Sequence, residues 1–322
     1  PSPSPFSPRR LVVARVGGHS GSEWLSSLLA SRDLSVFFQF SGKCPDGSPQ
    51  HTADGTDVRE LFSGGCACVG ISKEGGSTMT AGGYMYHHNR HTAPHNDWCK
   101  GRCTGNASMC SGVATINSYN NMKEAQQLAR DIDGTVVGWD RSNTVQHALS
   151  WLKSRCEWGH GNFTAPENHV HGHGVTDEAP LALLHVDPGV LLDRVRQQTG
   201  RRAGWLAAFE RMDAQKLGRK PVMTIYEKFQ QNPEGETTAL LRSVGILHPG
   251  TSTNEQFEHP IKVTPQFLGD LIVNFDEINA SFARHAPCLI DQLVASTPTY
   301  FPETCSITSH SVNAAVQDAE KR

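Results

Sequence analysis

The chain carries no apolar run approaching the roughly 20 residues that a membrane-spanning helix needs. It has no charge excess of either sign: 29 basic residues against 32 acidic ones leave a net charge of −3. Nothing global therefore points to nucleic acid or to an anionic membrane surface. No internal repeat recurs along the sequence. Its 322 residues suit one large domain or two small ones, with core enough to fold without staples.

Cysteine is not scarce. The nine cysteines are Cys44, Cys66, Cys68, Cys99, Cys103, Cys110, Cys156, Cys288 and Cys305, an odd count that leaves at least one unpaired. N-x-[S/T] sequons stand at Asn106, Asn162 and Asn279. Residues 1–9 hold four prolines and three serines and read as a disordered leader or stem, leaving room for a membrane anchor upstream. Together these features suit a disulfide-bonded glycoprotein of the Golgi lumen or secretory pathway. The alternative is a cytoplasmic enzyme with free thiols. Cys99, Cys103 and Cys110 are close enough in sequence to hold at least one disulfide.

Strand and helix signals alternate. Residues 10–16 are a β-branched run typical of a buried parallel strand. A Gly/Ser loop and a helical spacing, EWLSSLLASR, follow. Strands are expected at 34–40, 66–72, 134–140 and 221–227, and helices at 121–132, 142–156, 187–217, 235–246 and 264–285. Residues 74–121 and 157–180 read as long irregular loops. The alternation predicts an α/β fold with a central parallel sheet flanked by helices on both faces. Ligands in that class bind beyond the carboxyl ends of the strands, which gathers the loops at 17–22, 73–98 and 140–143 on one edge.

The loop Gly17-Gly18-His19-Ser20-Gly21-Ser22 lies between a strand and a helix. Glycines there let backbone approach an anion, and the helix's first N–H groups and dipole attract it. An ATP-type loop would continue G-K-[S/T]; here Gly21 is followed by Ser22 and Glu23, which removes the phosphate lysine and argues against an ATPase or GTPase.

This segment, HSGSEWLSSLL, resembles the phosphosulfate loop of the sulfotransferases, most nearly the plant-type and Nod-factor-like members. The resemblance implies a P-loop-like fold and a donor, 3′-phosphoadenosine 5′-phosphosulfate (PAPS), leaving as 3′-phosphoadenosine 5′-phosphate (PAP). It implies that Gly18, His19, Ser20, Gly21, Ser22, Glu23 and Trp24 surround the 5′-phosphosulfate. His19 stands where the family has Lys or Arg. The family's 3′-phosphate pattern, Arg-Arg-Asn and then a Ser eight or nine residues on, falls on Arg141, Asn143 and Ser150, with Ser142 in place of the second Arg. The family's strand-end lysine falls on Lys73. The likeness covers residues 10–285 and implies a sulfotransferase domain at 10–290, with a partly flexible C-terminal extension at 291–322.

An acceptor hydroxyl or amine needs a base, and Glu74 or His88 is the expected one. His87, His88, His91 and His95 with Cys99 and Cys103 carry zinc-ligand types, but disulfides plus a His-rich surface loop are the expectation and no metal is required. The loops suit a glycan or other small polar acceptor. Two rivals stand beside this reading. One is an α/β-hydrolase with Ser20 as nucleophile, since GGHSGS is a near match to G-x-S-x-G. The other is a non-catalytic binding protein on the sulfotransferase fold.

Overall fold

A computed structural model describes residues 9–18, 20–30, 32, 34–38, 71–72, 79–80, 83–86, 102–103, 112–118, 122–157, 184–212, 217–247, 267–302, 305–309 and 312–313. The fold is α/β. The strands are β1 (Arg9–Arg15), β2 (Leu34–Phe38), β3 (Ile71–Ser72), β4 (Met79–Thr80), β5 (Gly83–Tyr86), β6 (Arg102–Cys103), β7 (Gly112–Asn117), β8 (Thr135–Asp140) and β9 (Val222–Ile225). The main sheet runs β4-β5-β2-β7-β1-β8-β9, parallel except where β4 meets β5.

The helices are α1 (Ser22–Ala30), α2 (Met122–Asp131), α3 (Thr144–Glu157), α4 (Pro188–Glu210), α5 (Tyr226–Gln231), α6 (Pro233–Ser243), α7 (Phe275–His285) and α8 (Ile290–Val294). Alternate side chains of β1 go to opposite faces, as strand geometry requires. Leu11 and Val13 join Leu25, Leu28 and Leu29 of α1 and Leu240 and Leu241 of α6. Val12 and Ala14 join Ala125, Leu128 and Ala129 of α2 and Trp205 and Phe209 of α4. Both faces are thus covered, and each fully buried leucine contributes about 1.5–3 kcal/mol. A further core gathers α3, α4, α7 and α8, including Val145, Leu149, Leu191, Phe282, Leu289 and Leu293.

The connectivity positions the site. From β1 the chain passes through α1 to β2, skipping over β7, and from β7 through α2 to β8, skipping over β1. Crossovers of one hand running in opposite directions place their helices on opposite faces. β1 and its neighbour β8 lead away to opposite sides of the sheet, so their carboxyl ends flank a topological switch point, where open α/β sheets bind ligands.

Several sequence expectations meet a different outcome in the structure. Residues 74–121 are not all irregular, because Gly112–Asn117 is the strand between β2 and β1. Val113, Thr115 and Ile116 are β-branched, and Ala114 and Ile116 are fully buried, as a two-sided parallel strand requires. Of the strand expected at 66–72, only 71–72 is described, and it pairs with β6 in a separate antiparallel ladder. The helix expected over 187–217 ends at Glu210, with Arg211 as its cap. That expected over 264–285 is broken: Ile272 bridges Leu184, and the Asn274 carboxamide exchanges hydrogen bonds with Val186 N (3.0 Å) and O (2.9 Å), mimicking a strand partner.

The strand expected at 221–227 stops at Ile225, and Tyr226 and Glu227 begin a helix. Beyond residue 290, Gln292, Leu293 and Val312 are buried against the rest of the domain.

Candidate functional site

The loop after β1 is built so that only its backbone path fits. Gly21 accepts the first helical bond of α1 from Leu25 N at 3.1 Å. Its φ of +77° lies in the left-handed region, and a Cβ there would strike the Tyr226 ring. Gly21 as the cap leaves the N–H groups of Ser22, Glu23 and Trp24 at the open helix end, where the helix dipole attracts an anion.

Three side chains hold this loop from β1, β8 and α3. Arg15 Nη1 donates to Ser22 Oγ at 2.6 Å, so the Ser22 hydroxyl keeps its own proton to give. Trp139 Nε1 donates to the Ser20 carbonyl at 2.8 Å. His147 Nε2 lies 2.8 Å from the Gly18 carbonyl, which can only accept, so Nε2 carries the proton. Ser20 Oγ is fully buried and has no hydrogen-bond partner among the described residues. A buried hydroxyl left so costs about 1–3 kcal/mol, and a ligand oxygen would recover it.

The loop after β8 faces the first one. Arg141 Nη1 donates to Ser150 Oγ at 3.1 Å, and Ser150 donates onward to Gln146 O at 2.9 Å. The Arg141 guanidinium stands 4.8 Å from the centre of the Tyr226 ring. One ring therefore touches both Gly21 and Arg141. Asn143 caps α3, its Oδ1 accepting from Gln146 N at 2.9 Å. The Glu227 carboxylate, 1% exposed, accepts from Ser142 N (3.1 Å) and Asn143 N (2.9 Å). Under the loop, Asp140 takes a two-pronged bond from Arg202, Nε to Oδ1 at 2.9 Å and Nη2 to Oδ2 at 2.8 Å, with both side chains 2% exposed. Burial alone would lower the Arg202 pKa, but the hydrogen bond and charge of Asp140 raise it above the ordinary value. The Tyr226 phenol is pushed up by burial, with Arg141 pulling it the other way.

Of the residues expected here, Gly18, Ser20, Gly21, Ser22, Trp24, Arg141 and Ser150 lie on these two facing loops and the helix turns that follow them. Trp24 is half-buried, edge-on to Tyr226 at 5.7 Å between centroids. Glu23 is in α1, with its side chain outside the described atoms. His19, Lys73, Glu74 and His88 lie outside the described residues. Ser142, which stands at the family's second arginine, is fully buried and its Oγ accepts from Phe301 N at 3.0 Å.

Sequence reasoning missed Arg15, Trp139, His147, Tyr226, Glu227 and Gln292. Arg15 left a signal, a charge at the end of β1 set between the apolar Ala14 and Val16. Tyr226 and Glu227 fall in TIYEKF, a segment that resembles the family only in its order along the chain; the contacts of Glu227 and Gln292 left no local signal, because their partners are 84 and 148 residues away. A nucleophile elbow exposes its serine. Ser20 is buried, and the histidine described at this loop, His147, bonds to Gly18 O instead. No group of three or more metal-ligating side chains occurs among the described residues, and none of their helices is long and apolar enough to cross a membrane.

The chain matches no protein-family model, and no curated protein matches it.

Proposed function

We propose that this chain is a PAPS-dependent sulfotransferase of P-loop-like fold, moving a sulfuryl group to a hydroxyl or amine of a carbohydrate or other small polar acceptor. One observation carries the reading. Two loops read from sequence as binders of two different phosphates meet at the switch point of the sheet, where one Tyr226 ring packs on both Gly21 and Arg141. The groups present suit a doubly anionic nucleotide. The first turn of α1, with the Ser20 and Ser22 hydroxyls, would hold the 5′-phosphosulfate. Arg141 and Ser150 would hold the 3′-phosphate, an arginine fork being matched to phosphate oxygens.

The donor supplies an activated S–O bond: the acceptor oxygen or nitrogen bonds to sulfur as that bond breaks, and its electron pair stays on the departing 5′-phosphate oxygen. Catalysis then consists of positioning and charge neutralisation. In this proposal Lys73 and His19 supply positive charge to the departing phosphate, and Glu74 or His88 takes the acceptor proton. The Cys288–Cys305 disulfide supports a lumenal, secretory-pathway setting.

The test is thermal stabilisation by PAP. A ligand at 100 times its Kd adds about 2.7 kcal/mol. ADP, which has no 3′-phosphate for Arg141, should add far less. Equal shifts with PAP and ADP, or none with PAP, would overturn the reading. A second reading, a binding protein without turnover on the same fold, is favoured by Ser142, whose hydroxyl is engaged by Phe301. PAP release from PAPS in the presence of hydroxylated acceptors separates the two.

A further inference from the structure

The Arg141–Asn143 loop is held from outside by a segment far from it in sequence. Gln292, 4% exposed on α8, accepts through Oε1 from Thr144 N at 2.8 Å and from Thr144 Oγ1 at 2.9 Å. Its backbone carbonyl accepts from Asn143 Nδ2 at 2.9 Å. Nine residues on, Phe301 N donates to Ser142 Oγ. Between them, Pro298 O accepts from Gln231 Nε2, and the Tyr300 ring stands 5.8 Å from Lys228 Nζ. On the other side Glu227, from the same helix as Lys228, takes the Ser142 and Asn143 N–H groups. Three consecutive residues after Arg141 are therefore fixed by contacts to α5 and to the 290–302 segment.

We infer that Gln292 is a positioning residue for the phosphate-binding arginine: it locks the first turn of α3 and so fixes the direction in which Arg141 leaves the sheet. This rests on the nucleotide reading given above. A buried donor whose acceptor is removed pulls its backbone toward another partner. The two donors of Thr144 sit three residues from Arg141, so the arginine moves with them. A displacement of a fraction of an ångström is enough to spoil a two-point phosphate contact.

The test compares Gln292→Met, of similar length but without an acceptor, with Gln292→Glu, which keeps the acceptor oxygen. The readouts are hydrogen exchange at the Thr144 amide, PAP affinity, and the KM and kcat for PAPS. Gln292→Met should speed Thr144 exchange about tenfold or more and weaken PAP about tenfold. KM for PAPS should rise with kcat within about twofold, since the change acts on binding. Gln292→Glu should keep Thr144 protected.

A folded Gln292→Met with unchanged Thr144 exchange, or with faster exchange and parental PAP affinity, would overturn the assignment. Should Gln292→Met not fold, Thr144→Val removes only the side-chain half of the contact. Unchanged PAP affinity in that variant would overturn the assignment as well. A parent protein that binds no PAP sinks the nucleotide reading alone, and Thr144 exchange then decides whether Gln292 fixes this loop.

Discussion

Gly21 and Tyr226 are packed directly against one another. From sequence, Gly21 is a place where backbone must come close to an anion, and Gly21→Val is expected to lose PAP while keeping the fold. The structure corrects the second half, because the space a Cβ needs is filled by the Tyr226 ring. Gly21→Ala should therefore destabilise the protein by about 2–5 kcal/mol, through left-handed strain and overpacking together. Urea unfolding of parent and variant checks it. Tyr226 carries its own prediction. Burial raises its pKa, so the unfolded chain releases the phenolic proton first. Its stabilising contribution is whole below the unfolded value, about 10, and is lost as pH rises from there through the folded value. The parent should lose more stability between about pH 10 and 12 than Tyr226→Phe does. Parallel alkaline urea titrations of the two would refute this by equal slopes.

At the scale of elements, the sequence was readable wherever local pattern and tertiary demand agree. α1, α2, β1 and β8 fall where periodicity puts them, because their apolar residues are the ones buried in the two cores that cover the sheet, and β2 begins at Leu34 as expected. β7 was missed because its run is only six residues, Gly112–Asn117, attached to a Gly-, His- and Cys-rich stretch whose composition dominates the window. The break before α7 was missed for another reason: Asn274 reads as an ordinary helix residue, and its strand-like bonds to Val186 span 88 positions. The disulfide shows the same limit. Spacing pointed to Cys99, Cys103 and Cys110. Cys103 is in β6, and Cys99 and Cys110 lie outside the described residues. The described bridge joins Cys288 to Cys305 across 17 residues and encloses Gln292, Pro298 and Phe301. A loop of that size is stabilised by about 3 kcal/mol when closed. Cys288→Ser with Cys305→Ser should lower the unfolding free energy by about that amount, and non-reducing peptide mapping of the parent should recover the linked pair. Two free thiols in protein recovered from an oxidising compartment would refute the bridge.

For the whole molecule, the sheet order decides what the loops can do together. From sequence, the loops at 17–22 and 140–143 fall on one edge because both follow strands. That argument places them on the same side of the sheet but does not make them neighbours. Adjacency comes from β1 and β8 pairing directly, Leu11 opposite Thr135 through Arg15 opposite Trp139, with the connections leaving in opposite directions. Strand order is set by long-range pairing, which no local window records. Once it is known, the two loops acquire separate tasks: one has the open helix end and hydroxyls, the other the guanidinium. Ligand phosphates should then be separable by mutation. Arg141→Ala should weaken PAP about 10- to 100-fold, the loss of a charge-assisted bond of about 1.5–3 kcal/mol. It should change binding of 5′-AMP, which has no 3′-phosphate, by less than about threefold. Ser22→Ala should weaken both ligands together, since both carry the 5′-phosphate. Isothermal titration of the two nucleotides against the parent and the two variants reads this directly. Equal losses of PAP and 5′-AMP in Arg141→Ala would mean that Arg141 supports both loops through Tyr226 and does not bind the 3′-phosphate.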